Sequence, residues 1–339
     1  PYGQGYSIVE VQSPYGYVLD STPVYFDVAE ENSSEESGVT VIKVEKTNMP
    51  QKGTISIEKT GEVFFGVSVS GGTDENGQEL PVIYQPIYET QGLPDTVYEI
   101  RAAEDVVTPD GTLRYSKGEL VDTVTTDEMG FAESKELYLG KYEVKEVKAG
   151  YGMVLSDEVH TVELIYAGQN VAVTETATSF VNERQKVEVS LEKALEISEL
   201  FGIGNNDEIK NISFGLFADE ELVSASGTSI PKDGLIEIIT LDENGKATVK
   251  TDLPLGSYYV KELATDEHYQ LSSEKYPVVF EYAGQETATV AIAVNNGEPM
   301  ENKLIYGSVS GKKVDENGEG LGGALIGLFK SDDVEFTEE

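Results

Sequence analysis

The stretch Asn48-Met49-Pro50-Gln51-Lys52-Gly53-Thr54-Ile55-Ser56-Ile57-Glu58-Lys59 decides how this chain is read, because it recurs. Its last nine residues align without a gap on Gln185-Lys186-Val187-Glu188-Val189-Ser190-Leu191-Glu192-Lys193. Three times an asparagine stands eleven positions before a lysine: Asn48 and Lys59, Asn182 and Lys193, Asn302 and Lys313. A further phrase, Tyr-x-[Ile/Val]-x-Glu, falls in step with these pairs and ends at Glu10, Glu146 and Glu262. The repeat is domain-sized, unlike the short periods of solenoids.

Within a unit the order is Lys, then Glu, then Asn, which predicts complete domains over 53–184 and 187–304. Residues 1–50 carry Glu10 and Asn48 without a lysine strand before them, as the end of an earlier unit would. Residues 305–339 carry Lys313 and read as the start of a later one. The expectation is a piece of a longer tandem array.

Alternation of apolar and polar residues gives an almost wholly β reading, with strands predicted at 54–59, 96–101, 142–147, 159–165, 187–191, 257–263, 276–282 and 287–294. Asp74-Glu75-Asn76-Gly77, Asp242-Glu243-Asn244-Gly245 and Asp315-Glu316-Asn317-Gly318 supply turns, since Asn and Gly tolerate positive φ. No segment keeps a 3.6-residue stripe. Serial β-sandwiches of immunoglobulin size are expected.

The same alternation places the repeated polar residues. Ile55, Ile57 and Lys59 share one strand face, as do Val189, Leu191 and Lys193. Tyr142 and Val144 share a face with Glu146, and Tyr258 and Val260 with Glu262. Phe180 and Met300 put Asn182 and Asn302 on apolar faces. A lysine and a glutamate turned into a core are costly as ions and drift toward neutral forms. A neutral amine is a nucleophile. Attack of Lys Nζ on Asn Cγ, with the Glu relaying protons, would release ammonia and leave an isopeptide bond. The bland rival is a surface lysine snorkelling past its neighbours. Lys312 competes with Lys313 but points to the opposite face. Asn295 and Asn296 compete with Asn302, which alone keeps the spacing to the next lysine.

These phrases, with Val97-Tyr98-Glu99-Ile100, Thr126-Asp127-Glu128-Met129-Gly130, Leu139 through Glu146, Gly150-Tyr151-Gly152 and Leu253 through Glu262, resemble the collagen-adhesin B-type (CnaB, SpaA-like, prealbumin-like) domains of Gram-positive surface proteins and pilins. The resemblance covers essentially the whole chain. Gly322-Gly323-Ala324-Leu325-Ile326-Gly327-Leu328-Phe329 resembles the second strand of a further such domain. It implies tandem immunoglobulin-like sandwiches set as beads on a rod. It also implies intramolecular bonds Lys59–Asn182 and Lys193–Asn302, assisted by Glu146 and Glu262, with Glu10, Asn48 and Lys313 in incomplete triads. Two departures stand out: an insertion at 60–95 and a smaller one at 194–211, both read as surface loops. Glu267-His268-Tyr269 also replaces the Gly-Tyr that follows the glutamate in the first unit.

Composition narrows the function. Lys plus Arg number 24 against 62 Asp plus Glu, a net charge of −38, which excludes a nucleic-acid phosphate binder and disfavours contact with an anionic membrane. Cysteine is absent, so disulfides, thiolate metal sites and cysteine nucleophiles are excluded. His160 and His268 stand alone, the Asp-Glu-Asn-Gly turns lack the downstream glutamate of a calcium loop, and no cofactor or metal is expected. Leu93-Pro94-Asp95-Thr96 mimics a sortase signal, but Val97 stands where glycine is required. The reading is a non-enzymatic stalk segment of a wall-anchored, extracellular adhesin or pilin. The alternative is a module that binds a host protein, matrix protein or glycan through 60–95.

Overall fold

The computed structural model describes residues 3–29, 34–36, 39–73 and 77–329; Asp74, Glu75 and Asn76 of the first predicted turn lie outside them. Among the described residues the chain is almost entirely β, with only two 3₁₀ turns, Glu208–Asn211 and Val294–Gly297. We number the principal strands β1 (Gly3–Ile8), β2 (Val24–Val28), β3 (Lys52–Thr73), β4 (Glu79–Gly92), β5 (Val97–Ala102), β6 (Leu120–Thr125), β7 (Phe131–Glu133), β8 (Gly140–Lys148), β9 (Val159–Leu164), β10 (Val173–Asn182), β11 (Lys186–Leu195), β12 (Ser213–Ala218), β13 (Leu235–Thr240), β14 (Lys246–Thr248), β15 (Gly256–Ala264), β16 (Lys275–Phe280), β17 (Thr289–Ala293) and β18 (Met300–Asn302).

Two sandwiches follow in series, each with its own main core, and a smaller cluster of Leu93, Ala149 and Met153 lies apart from both. In the first, the sheet β6-β5-β8-β9 faces β7-β3-β10. Ile55, Ile57, Tyr98, Ile100, Tyr142 and Phe180 fill the space between them. In the second, β13-β12-β15-β16 faces β14-β11-β17. Leu191, Phe214, Leu216, Tyr258, Val260 and Met300 fill that core. Each fully buried large apolar side chain contributes roughly 1.5–3 kcal/mol. The period-2 patterns are what sort these residues inward: β8 alternates buried and exposed from Tyr142 through Glu146. In both sandwiches the last strands pair in parallel with the first, β10 on β3 and β17 and β18 on β11.

The predicted loop at 60–95 is instead a long β-hairpin. Strand β3 runs on past Lys59 to Thr73 and β4 returns beside it to Gly92. Rich in Gly, Tyr and acidic residues, it reads as a loop by pattern, yet Val63, Phe64, Val67, Val82, Tyr84 and Tyr88 give it enough β-prone side chains to pair. The hairpin leans on the second sandwich. β4 pairs in parallel with β13, joining Leu235 to Ile83. Phe64, Val67 and Tyr84 pack against the second core. The backbone carbonyls of Phe64 and Phe65 accept from the amides of Ala225 and Ser226 at 3.0 and 2.9 Å. The edge of the second sheet is thereby covered, as exposed strand edges generally need to be.

The smaller insertion at 194–211 holds the end of β11, turns and one 3₁₀ turn. The expected strand at 322–329 does not form; Leu325, Ile326, Leu328 and Phe329 are exposed, because a lone strand without a paired neighbour has nowhere to place its backbone donors. At the other end β1 pairs antiparallel with β2, and Tyr6 stacks on Phe26.

Candidate functional site

Lys59 is fully buried on β3, Glu146 on β8 and Asn182 at the end of β10. Each is there because it continues the inward face of its strand. Lys59 Nζ donates to Glu146 Oε2 at 2.8 Å and to Asn182 Oδ1, while Asn182 Nδ2 donates to Glu146 Oε1 at 2.6 Å. One carboxylate thus touches both the amine and the amide nitrogen. Burial pushes the Lys59 amine below its usual range, and the Glu146 charge only partly restores it. Tyr98 directs its hydroxyl at Glu146 Oε2 from 3.5 Å, and burial holds its own proton far above the ordinary phenol range.

The second sandwich repeats the arrangement with Lys193, Glu262 and Asn302, all buried. Lys193 Nζ donates to Asn302 Oδ1 at 2.6 Å and lies 3.4 Å from Glu262 Oε1, which accepts from Asn302 Nδ2 at 2.8 Å. Burial lowers the Lys193 pKa, opposed by Glu262. Here Phe214 replaces the tyrosine, Thr265 Oγ1 takes a second bond from Asn302 Nδ2 at 2.9 Å, and the Ser272 amide donates to Glu262 Oε2 at 2.7 Å.

The remaining predicted residues fall as follows. Asn48 Nδ2 donates to both Glu10 oxygens at 2.8 Å, so the half-site near the start is paired. Lys313 is exposed, with its carbonyl accepting from the Leu321 amide. Asn295 and Asn296 sit in a left-handed turn away from the buried cluster, and Asn302 is the amide that meets Lys193. Leu93 and Thr96 are buried, and the Thr126 hydroxyl donates to the Leu93 carbonyl at 2.7 Å, so the sortase-like tetrapeptide is part of the core wall. Among the described residues no cluster of three or more His, Cys, Asp or Glu could hold a metal ion. His160 stacks on Phe180 and pairs with Thr178. His268 pairs with Asp266, which raises its pKa.

A pair of positioning residues escaped the sequence reading. The turns 127–130 and 242–245 press against the lysine strands: the amides of Lys59 and Lys193 donate to the carbonyls of Gly130 and Gly245 at 2.7 and 2.8 Å. Both glycines have positive φ, and a Cβ on either would overlap the lysine carbonyl oxygen. Asp127 and Asp242 spend Oδ1 on amides of their own turns, so these carboxylates brace the turn.

Two domains that each bury a Lys–Glu–Asn cluster between first and last strands define a tandem prealbumin-like sandwich protein. Residues 88–178 and 202–296 match the family described as SpaA, prealbumin-like fold domain, over more than half the chain. The chain belongs to that family. Among solved structures it is similar to the Bacillus anthracis TIE protein, at 21% identity and a TM-score of 0.51, covering 89% of this chain and 42% of that one. It therefore spans well under half the length of that relative, and the likeness shows the fold. Weaker superpositions, with TM-scores of 0.26 and 0.25, reach the minor pilin GBS52 of Streptococcus agalactiae and the shaft pilin SpaA of Lactobacillus rhamnosus GG. These are 17% and 11% identical, and each match covers 77% of this chain and 100% of the other. No curated protein sequence matches the chain. No helix among the described residues is long and apolar enough to cross a membrane.

Proposed function

We propose that this chain is a load-bearing stalk segment of a Gram-positive cell-surface adhesin or pilus, built from units 53–184 and 187–304 that each close on themselves through one isopeptide bond. The carrying observation is Glu146 bridging the Lys59 amine and the Asn182 amide nitrogen within 2.8 Å of both. Neutral Lys59 Nζ, held against the amide by its contact with Asn182 Oδ1, turns its lone pair onto Asn182 Cγ and attacks. The Nζ–Cγ bond forms. Glu146 takes one proton from Nζ and delivers it to Nδ2, the Cγ–Nδ2 bond breaks, and ammonia leaves. Desolvation favours the neutral amine that this step needs. Lys193, Glu262 and Asn302 act in the same roles.

The reading extends to an extracellular, wall-anchored location, with Glu10 and Asn48 at one end and Lys313 at the other belonging to incomplete sites. Single-molecule pulling on the chain tests it. The wild type should show almost no domain extension, and Glu146→Ala with Glu262→Ala should restore an unfolding step for each unit. Equal extensibility of the two proteins rejects the load-bearing role.

A further inference from the structure

The joints between units carry a motif that the bonds do not explain. Tyr166-Ala167-Gly168-Gln169 and Tyr282-Ala283-Gly284-Gln285 are the same tetrapeptide, each in the loop before the last long strand of its sandwich. Three residues after Asn48 and after Asn182 comes a glutamine, Gln51 and Gln185, and both are buried.

The two glutamine sets interlock identically. Gln51 Oε1 accepts from the Ala167 amide at 2.8 Å, and its Nε2 donates to the carbonyls of Gly168 and Val171. Gln185 Oε1 accepts from the Ala283 amide at 2.8 Å, and its Nε2 donates to Gly284 and Thr287. Every polar atom of each buried side chain is thereby used, which is the condition for burying an amide without penalty. The loop glutamine then reaches back to the preceding unit. Gln169 Oε1 takes the Ser13 amide and Gln285 Oε1 takes the Ala149 amide, both at 2.9 Å. Their carbonyls take the amides of Leu19 and Leu155 at 2.8 and 2.9 Å. A tyrosine pair closes each joint: Tyr15 with Tyr166 at 4.7 Å and Tyr151 with Tyr282 at 5.0 Å between ring centroids.

We propose that Tyr-Ala-Gly-Gln is a docking plug whose partner is the trailing end of a neighbouring unit bearing Tyr-Gly, and that the connector glutamine latches it, so that successive units meet at one fixed geometry. The sequence itself limits the rule to these two joints. After the second sandwich, Glu267-His268 stands where Tyr15-Gly16 and Tyr151-Gly152 stand earlier, and Ile305 stands where the latch would be. The plug and latch are thus a feature of particular joints and not a requirement of the fold.

Amide hydrogen exchange on the full chain tests this, with Gln51→Ala/Gln169→Ala and Gln185→Ala/Gln285→Ala as the variants. The decisive probes are the Leu19 and Leu155 amides, whose acceptors are backbone carbonyls that survive the substitutions. Their exchange should speed up at least about tenfold, while the core amides of Ile100 and Val260 keep their protection. Unchanged protection at Leu19 and Leu155 overturns the proposal. If a double variant loses its core protection, Gln285→Ala alone replaces it, since its side chain touches the preceding unit only at the Ala149 amide. Intact mass is read on the same samples. The latch is independent of the isopeptide bonds, so a failure of either idea is visible without the other.

Discussion

Lys59 and Asn182 are two residues out of step in their parallel ladder: Lys59 lies opposite Phe180, and Asn182 lies opposite Gly61. The same offset recurs where Lys193 faces Met300 and Asn302 faces Leu195. Because strand side chains alternate faces, a two-residue offset keeps amine and amide on one face, with an apolar residue flanking the amine. The amine therefore reaches the amide obliquely, along the strand, with the glutamate from the opposite sheet closing the triangle.

If both triangles react, intact mass should fall below the sequence mass by two ammonia molecules. Glu146→Ala and Glu262→Ala should each restore one. Lys59→Arg should also restore one, because a guanidinium stays protonated and cannot attack. An unmodified wild-type mass would sink the chemistry.

Closing a loop of this length should matter for stability. By the chain-entropy account of cross-links, losing the Lys59–Asn182 bond should cost on the order of 5 kcal/mol. Glu146→Ala should lower both the thermal midpoint and resistance to protease, read by calorimetry and limited digestion.

The buried amine sets a pH dependence in any variant that cannot react. In Asn182→Ala, burial depresses the folded-state pKa of Lys59 below the unfolded value. The unfolded chain then binds more protons between those two values, so stability should rise with pH across that window and fall as pH drops through it. Urea denaturation at a series of pH values below the ordinary lysine range should show this slope in the variant, and none attributable to Lys59 in a wild type that has reacted.

Gly130→Ala and Gly245→Ala place a side chain where φ is +83° and +74° and where the lysine carbonyl already sits. Each should cost roughly 2–3 kcal/mol and slow bond formation in newly synthesised chain, measured by intact mass at intervals after synthesis as the rate of ammonia loss. Ala at Gly227, which has positive φ but open space, should cost less.

The hairpin predicts an effect across the joint. Phe64→Ala lies within the first unit by sequence yet packs on the second core. It should lower the unfolding free energy of the second unit by about 1–2 kcal/mol, less than a fully buried Phe→Ala because Phe64 is only half-buried, and leave the first nearly untouched. Arg184 should behave likewise. It is buried against Tyr88 at 3.8 Å and paired with Glu62 and Asp252, so Arg184→Ala should loosen the hairpin from the second sandwich. Protection of the Ala225 and Ser226 amides reports this.

Much of this was legible in the residues. Period-2 alternation fixed the faces of Ile57, Val144 and Leu191, and repetition picked Lys59, Glu146 and Asn182 out of many similar residues. The hairpin was hidden because Gly66, Gly71, Gly72, Pro81 and Pro86 are loop-prone locally, and its support comes from tertiary contact with β13. Gly130 and Gly245 were readable as turn residues, but what the turn leans on is a matter of packing. Gln51 and Gln185 head the repeated stretch, but repetition alone does not give their role, since a buried glutamine acquires meaning only from the distant carbonyls it meets.

The eleven-residue spacing also acts as a ruler. If Lys59 is joined to Asn182, the shortest covalent route from Asn48 to the next unit passes through 49–59 alone, a stretch that can measure about 36 Å when extended. The following step, 183–193, has the same length. Everything between Lys59 and Asn182 becomes a side branch of that route, including the whole hairpin. A unit can gain or lose dozens of residues there without lengthening that covalent route, and so the first unit can carry an extra hairpin while the spacing from Asn182 to Lys193 still matches that from Asn48 to Lys59.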